Sequence, residues 1–76
     1  MVSAVKLNSD VHVTLSKQVK AYRSQAGLTQ QMLADKCGIY RTYLSRIESG
    51  SANPSIGVLV GLASTLNVEV YKLFVE

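Results

Sequence analysis

Four Gly or Pro positions, Gly27, Gly38, Gly50 and Pro54, cut this chain into pieces the length of single helices, and that punctuation limits its fold more than anything else. Between the breaks the apolar residues recur at three- and four-residue steps. Leu15, Val19, Tyr22 and Ala26 form the stripe of a first helix that Gly27 stops. Thr29 is placed to cap a second, Gln30 to Cys37, with Leu33, Ala34 and Cys37 on one side. The turn Gly38-Ile39 leads into a third, Tyr40 to Ser49, with Leu44 and Ile47 inward. Ser55 caps a fourth that holds Ile56, Leu59, Leu62, Ala63 and Leu66. A last turn or two, Glu69 to Phe74, brings in Val70, Leu73 and Phe74. The expectation is an all-α domain of five helices joined by short connections. Val11 to Leu15 alternates like a strand or forms the β-branched first turn of helix one. The first ten residues are read as an arm of unknown order, with a single domain over residues 11–76.

Composition narrows the function classes. With 76 residues there is room for one domain only, and 47% apolar against 17% charged residues argues against a disordered tail. The longest run without a charge, Gly50 to Val68, carries three Gly, a Pro and two Asn, which rules out a membrane span. Cys37 has no second Cys to pair with, and with no signal segment at the start the reading is a reducing cytoplasm. On the core side of helix two it reads as a small hydrophobe, not a nucleophile. His12 has no Cys, Asp or Glu at metal-ligand spacing, so it is read as a half-buried or exposed His. No phosphate-binding glycine loop is present. Enzyme, metal, cofactor and small-molecule readings all lack residues to carry them.

Residues 30–47 fit a helix-turn-helix. Ala34 is small where two helices cross, Gly38 sits in the turn, and Leu33, Cys37, Leu44 and Ile47 peg the second helix across the first. On spacing alone, an αα-hairpin that touches no nucleic acid stays open. The outer face of helix three favours DNA. Tyr40, Arg41, Thr42, Ser45 and Arg46 point away from Leu44 and Ile47, with Tyr43 at the boundary. Arg grips guanine O6 and N7 bidentately, Thr offers a methyl to thymine, and Ser and Tyr reach phosphate. From Thr14 to Gly50 six cationic side chains face two carboxylates; from Ser51 onward Lys72 faces Glu69 and Glu76. A basic first half and a near-neutral apolar second half suit nucleic acid and self-association respectively.

Arg23, Gly27-Leu28-Thr29-Gln30, Leu33-Ala34, Gly38, Arg41-Thr42-Tyr43-Leu44-Ser45, Ile47-Glu48-Ser49-Gly50, Asn53-Pro54-Ser55 and Leu73-Phe74 together resemble the lambda-repressor-like, Cro/XRE family. The RTYLS stretch looks most like restriction–modification controller proteins. The resemblance covers about Leu15 to Phe74. It implies a homodimeric transcriptional regulator reading a palindromic operator in the major groove. Gln30 would then bond a phosphate and brace the start of the recognition helix. Arg41, Thr42 and Arg46 would read bases with Tyr43 and Ser45 beside them, and Ser51 and Asn53 would meet the DNA backbone. Arg23 and Glu48 would form an internal ion pair.

The pattern is broken in three places. Tyr40 stands where Ser or Thr caps better, and is either kept for its phenol at a phosphate or tolerated. Gly57 and Gly61 stand in helix four either as a flat surface for another helix or as drift. Met32 occupies a position usually held by an exposed polar residue. Val70, Tyr71 and Val75 are the expected dimer contacts, with Leu73 and Phe74 completing the core. The alternatives are an antitoxin-type autorepressor and a protein-interaction module that does not read DNA.

Overall fold

The computed structural model describes the backbone of residues 4–76 and the side chains from Val11 onward. Among these residues it has four α-helices and a terminal 3-10 turn: α1 (Ala4–Gln25), α2 (Gln30–Cys37), α3 (Arg41–Glu48), α4 (Ile56–Leu66) and the turn Val70–Phe74. No strand is present among them.

Two expectations are corrected here. The fifth helix is a single 3-10 turn of five residues, because a segment bounded by Glu69 and Val75 in extended conformation is too short for α-helical closure. The first helix starts at Ala4 instead of Leu15. Ala4–Asp10, the described part of the arm whose order the sequence leaves open, is helical, and Val11–Leu15 takes the helical of its two readings. Residues 1–3 of the arm lie outside the described residues. Nothing between Ala4 and Gln25 is a Gly or Pro. The Val, Ser, Asn and Asp residues there lower helix propensity by only about 0.7 kcal/mol each at most. A helix nucleated by the packed half propagates back through them.

Each helix ends in the same way. A residue at positive φ follows it or lies just beyond its cap: Gly27, Gly38, Gly50 and Asn67, with φ between 59° and 79°. The next N–H then reaches back five residues: Leu28 to Arg23 O, Ile39 to Ala34 O, Ser51 to Arg46 O and Val68 to Ala63 O, at 2.9–3.1 Å. Asn67 was not anticipated as a stop, although Asn is the commonest substitute for Gly in this conformation. At the other ends, Thr29 accepts from Met32 N at 3.1 Å and Ser55 from Val58 N at 3.3 Å.

The core lies between all four helices and the terminal turn. Leu15, Val19, Leu33, Ala34, Leu44, Ile47, Leu59, Leu62, Ala63, Leu66 and Leu73 are buried, and Ala52 joins them from the loop after α3. Tyr22, Cys37, Val58, Val70 and Phe74 pack against this cluster while keeping some exposure. Two stripe residues face outward: Ala26 lies past the end of α1, and Ile56, at the first position of α4, is 74% exposed. A helical stripe gives direction, but no other element reaches over either end.

One charge belongs to this core. Glu48 is 3% exposed. Arg23 Nε donates to its Oε2 at 2.7 Å and Arg23 Nη2 to its Oε1 at 3.0 Å. Arg23 Nη1 donates to Leu28 O at 2.8 Å, and the Gln30 side-chain amide donates to Glu48 Oε1 at 3.1 Å. Hydrogen bonding to Glu48 raises the Arg23 pKa above its usual value, against a smaller lowering by burial. The clamp joins α1, the α1–α2 turn, the first residue of α2 and the last residue of α3. Removing one partner of a buried pair strands the other, at about 3–5 kcal/mol. Glu48→Gln should therefore lower Tm by more than about 10 °C. Glu76→Gln, whose partner Lys17 is 3.9 Å away with both side chains mostly exposed, should barely move it. Differential scanning calorimetry of the two variants makes the comparison; equal shifts would reduce Glu48 to an ordinary surface carboxylate.

Candidate nucleic-acid interface

The helix-turn-helix is built from α2, the link Gly38–Tyr40 and α3. Gly38 has φ 70°, a conformation that costs a Gly little and a β-carbon-bearing residue about 1–2 kcal/mol. Its positive φ turns the chain so that α3 starts across α2, with Leu44 and Ile47 buried beside Leu33 and Ala34. Tyr40 is the N-cap of α3 in extended conformation and makes no side-chain capping bond; its carbonyl accepts from Tyr43 N and Leu44 N. The Tyr40 ring is 84% exposed.

Burying Leu44, Ile47 and Glu48 leaves the opposite side of α3 in solvent. Thr42 and Arg46 are exposed there, Arg41 is exposed at the first position of the helix, and Tyr43 and Ser45 are half-buried at the edges. Tyr43 packs against the core, so only part of it is available to a partner. No carboxylate lies on this exposed side, since the one acidic residue of α3 is Glu48. The result is a rigid helix carrying two guanidinium groups, a hydroxyl-bearing methyl and a phenol, with no negative charge to oppose a polyanion.

The sequence-predicted residues behave differently from one another. Gln30 is half-buried and spends an amide N–H on Glu48. It thus braces the end of α3, not the start as expected. Arg46 is exposed but turned back: its Nη2 donates to Ser51 O at 3.2 Å. Ser49 and Ser51 both donate their hydroxyls to Arg46 O, at 3.1 and 3.3 Å, and stand 2.9 Å from each other. The loop after α3 is thereby tied to the helix it follows. Asn53, also exposed, lies 3.4 Å through Oδ1 from Nε2 of His12 on α1. His12, Val13, Gly50, Ser51, Ala52 and Asn53 line a shallow open groove. The Arg46, Ser49 and Ser51 bonds and the His12 contact were not anticipated; no local pattern signals them, because they depend on where the loop lands.

Away from α3, Cys37 is half-buried and donates its thiol to Thr65 Oγ1 at 3.4 Å and Gly61 O at 3.7 Å on α4, fitting a packing role. A β-carbon at Gly61 would meet open space, and one at Gly57 only Ser55 Oγ at 3.9 Å. Neither glycine is demanded by the monomer's own packing. Of the expected dimer contacts, Tyr71 (60%) and Val75 (47%) are exposed, whereas Val70 is half-buried against the core. Ile56 and Val60 (49%) on α4 are the apolar residues that add to the exposed set. Among the described residues no cluster of His, Cys, Asp or Glu could hold a metal, and no helix is long and apolar enough to cross a membrane.

Comparison with known proteins agrees with this geometry. Residues 19–73 match the HTH_3 helix-turn-helix family. The control protein C.SmaI of Serratia marcescens is 36% identical over 64 residues, which is 84% of this chain and 76% of that protein. The regulator SinR of Bacillus subtilis is 36% identical over 63 residues, 82% of this chain, which spans 57% of SinR. Among solved structures, the restriction–modification controller C.AhdI of Aeromonas hydrophila superposes with a TM-score of 0.80 at 32% identity, over 83% of this chain and 96% of that one. A crystal structure of SinR in complex with DNA gives 0.74 at 37% identity, over 78% of this chain and 95% of that one. The chain belongs to the Cro/XRE-type helix-turn-helix family, whose members are transcriptional regulators and not enzymes.

Proposed function

We propose that this chain is a sequence-specific DNA-binding transcriptional regulator that reads a palindromic operator as a homodimer, of the restriction–modification controller type and acting in the cytoplasm. The observation that carries the reading is the solvent face of α3, where Arg41, Thr42 and Arg46 stand free of any carboxylate on a helix pinned from behind by Arg23 and Glu48. The likeness to SinR, a protein solved in complex with DNA, supports the DNA partner. The likeness to C.SmaI and to nearly the whole of C.AhdI supports the controller type.

In this reading α3 enters the major groove, Arg41 and Thr42 at its first turn reach base edges, and Tyr40, Tyr43 and Ser45 flank them. Arg46 reads a neighbouring position once it lets go of Ser51 O. Gln30, Ser51 and Asn53 meet the phosphate backbone. Arg41→Ala should weaken binding by about 1–3 kcal/mol per half-site and relax the base preference at one position, with Arg46→Ala acting at the next. The probe is a duplex enriched by the wild-type chain from a random-sequence library, tested against its single-base variants. Equal losses on all sequences, random DNA included, would demote both Arg to phosphate contacts.

One recognition helix covers too few base pairs to find a genomic site, and two half-sites about one helical turn apart solve that with a two-fold dimer. Tyr71 and Val75 supply the proposed contact, with Ile56 and Val60 widening it on α4. Val70, half-buried against the core, supports that surface from beneath. Sedimentation at micromolar concentration should show a dimer, and Tyr71→Asp should shift it to monomer while far-ultraviolet circular dichroism stays helical. The same substitution should roughly halve the salt slope of binding, because each bound unit neutralises fewer phosphates. A wild-type monomer that binds a lone half-site as tightly as a palindrome defeats the dimer.

A further inference from the structure

The loop after α3 is fastened from two sides. From α3, Arg46 holds Ser51 O, and the Ser49 and Ser51 hydroxyls hold Arg46 O. From α1, His12 reaches Asn53 across 41 residues of sequence. The backbone closes up there too, since a β-carbon on Gly50 would lie 3.8 Å from His12 O and 3.9 Å from Ser16 Oγ. Asn53 Oδ1 can only accept, so the His12–Asn53 contact is a hydrogen bond in the tautomer of His12 that has its proton on Nε2. With Oδ1 facing the imidazole, the amide nitrogen of Asn53 must point away from the ring, on a residue that is exposed. The two N–H donors of that amide therefore lie on its far side from His12, in the loop that borders the recognition helix.

We infer that His12 is a positioning residue for DNA binding: by holding Oδ1 of Asn53 it fixes the side-chain amide with its N–H groups toward the phosphate backbone. The inference rests on the DNA-reading function proposed above. A free Asn amide presents either its acceptor or its donor end, and the acceptor end repels phosphate oxygen. Fixing one orientation removes that competing state before DNA arrives. In this arrangement the phosphate contact is made by Asn53 and not by His12 itself.

The test is a double-mutant cycle on the duplex enriched by the wild-type chain, read by fluorescence anisotropy over a salt series. Asn53→Ala should weaken binding about tenfold, as expected for losing a hydrogen bond to a charged group. His12→Ala should weaken it several-fold in the wild-type background and have almost no further effect on top of Asn53→Ala. His12→Gln, which keeps an N–H donor, should recover most of the affinity. None of these variants should change the salt slope, because the phosphate contact is made by an uncharged amide. Should His12→Ala melt below the assay temperature, His12→Leu, similar in bulk and without a donor, replaces it. An unchanged affinity in His12→Ala overturns the inference. So does an equal loss in both backgrounds with a shallower salt slope, which would make His12 a direct phosphate contact. A wild-type chain that enriches no sequence at all would instead sink the DNA-reading function.

Discussion

The Arg23–Glu48 clamp is the constraint on which the rest of the arrangement depends. A carboxylate only 3% exposed in a 76-residue chain is a large penalty unless both of its oxygens are hydrogen-bonded. Here the answers come from a bidentate guanidinium and from the Gln30 amide. Those three side chains come from α1, α2 and α3, so satisfying one charge sets the positions of three helices. Gln30 is the first residue of α2 and Glu48 the last of α3. The clamp thus holds the helix-turn-helix at its open end, opposite the turn at Gly38 that holds the other. A hydrophobic core alone permits small slides of one helix over another; a fork-shaped ion pair does not.

Most of this fold is legible from punctuation and period. Thr29, Gly38, Gly50 and Ser55 sit at helix boundaries for local reasons, so local reading places them. The readings that fail do so where the local signal is weak or the outcome is set by distant contacts. Ala4–Asp10 is helical because α1 is already nucleated further along, something no ten-residue window can register. The stop at Asn67 has a local cause, but Asn occupies turns of many kinds and marks none as firmly as Gly does. Ile56 lies on the predicted stripe and is nonetheless exposed, because a stripe carries direction and not the extent of the facing element.

The site divides along the same line. That Thr42 and Arg46 are exposed follows from Leu44, Ile47 and Glu48 being buried, since helical geometry forces one from the other, whereas Arg41, in register with Leu44 and Glu48, is exposed because it opens the helix. Where Arg46 and Asn53 point does not follow, for these side chains answer to a loop whose path is set by α1. Sequence spacing identifies which residues can face DNA, and tertiary contacts decide which of them are already oriented. Arg46 is the informative case. It is exposed, as Arg41 is, yet its guanidinium is engaged with Ser51 O while Arg41 shows no such contact.

Small size then links the two ends of the molecule. A chain of this length buries only about 60% of its unfolded surface, so apolar residues are left over. In this fold they are not left at random. The basic, carboxylate-free surface of α3 carries none of the exposed non-aromatic apolar side chains, which stand instead at Val11 and Val13 on α1, Met32 on α2, Ile56 and Val60 on α4, and Val75 beyond the terminal turn. An apolar remainder on α3 would cost solubility and compete with a polar partner, whereas the same remainder on α4 and the terminal turn can be covered by a second copy. Covering it brings a return in recognition: a second α3 is presented at a fixed distance, and its contacts add to those of the first without a new search. The proposed dimer and the proposed base reading are therefore coupled through placement of the same surplus, not through any shared residue.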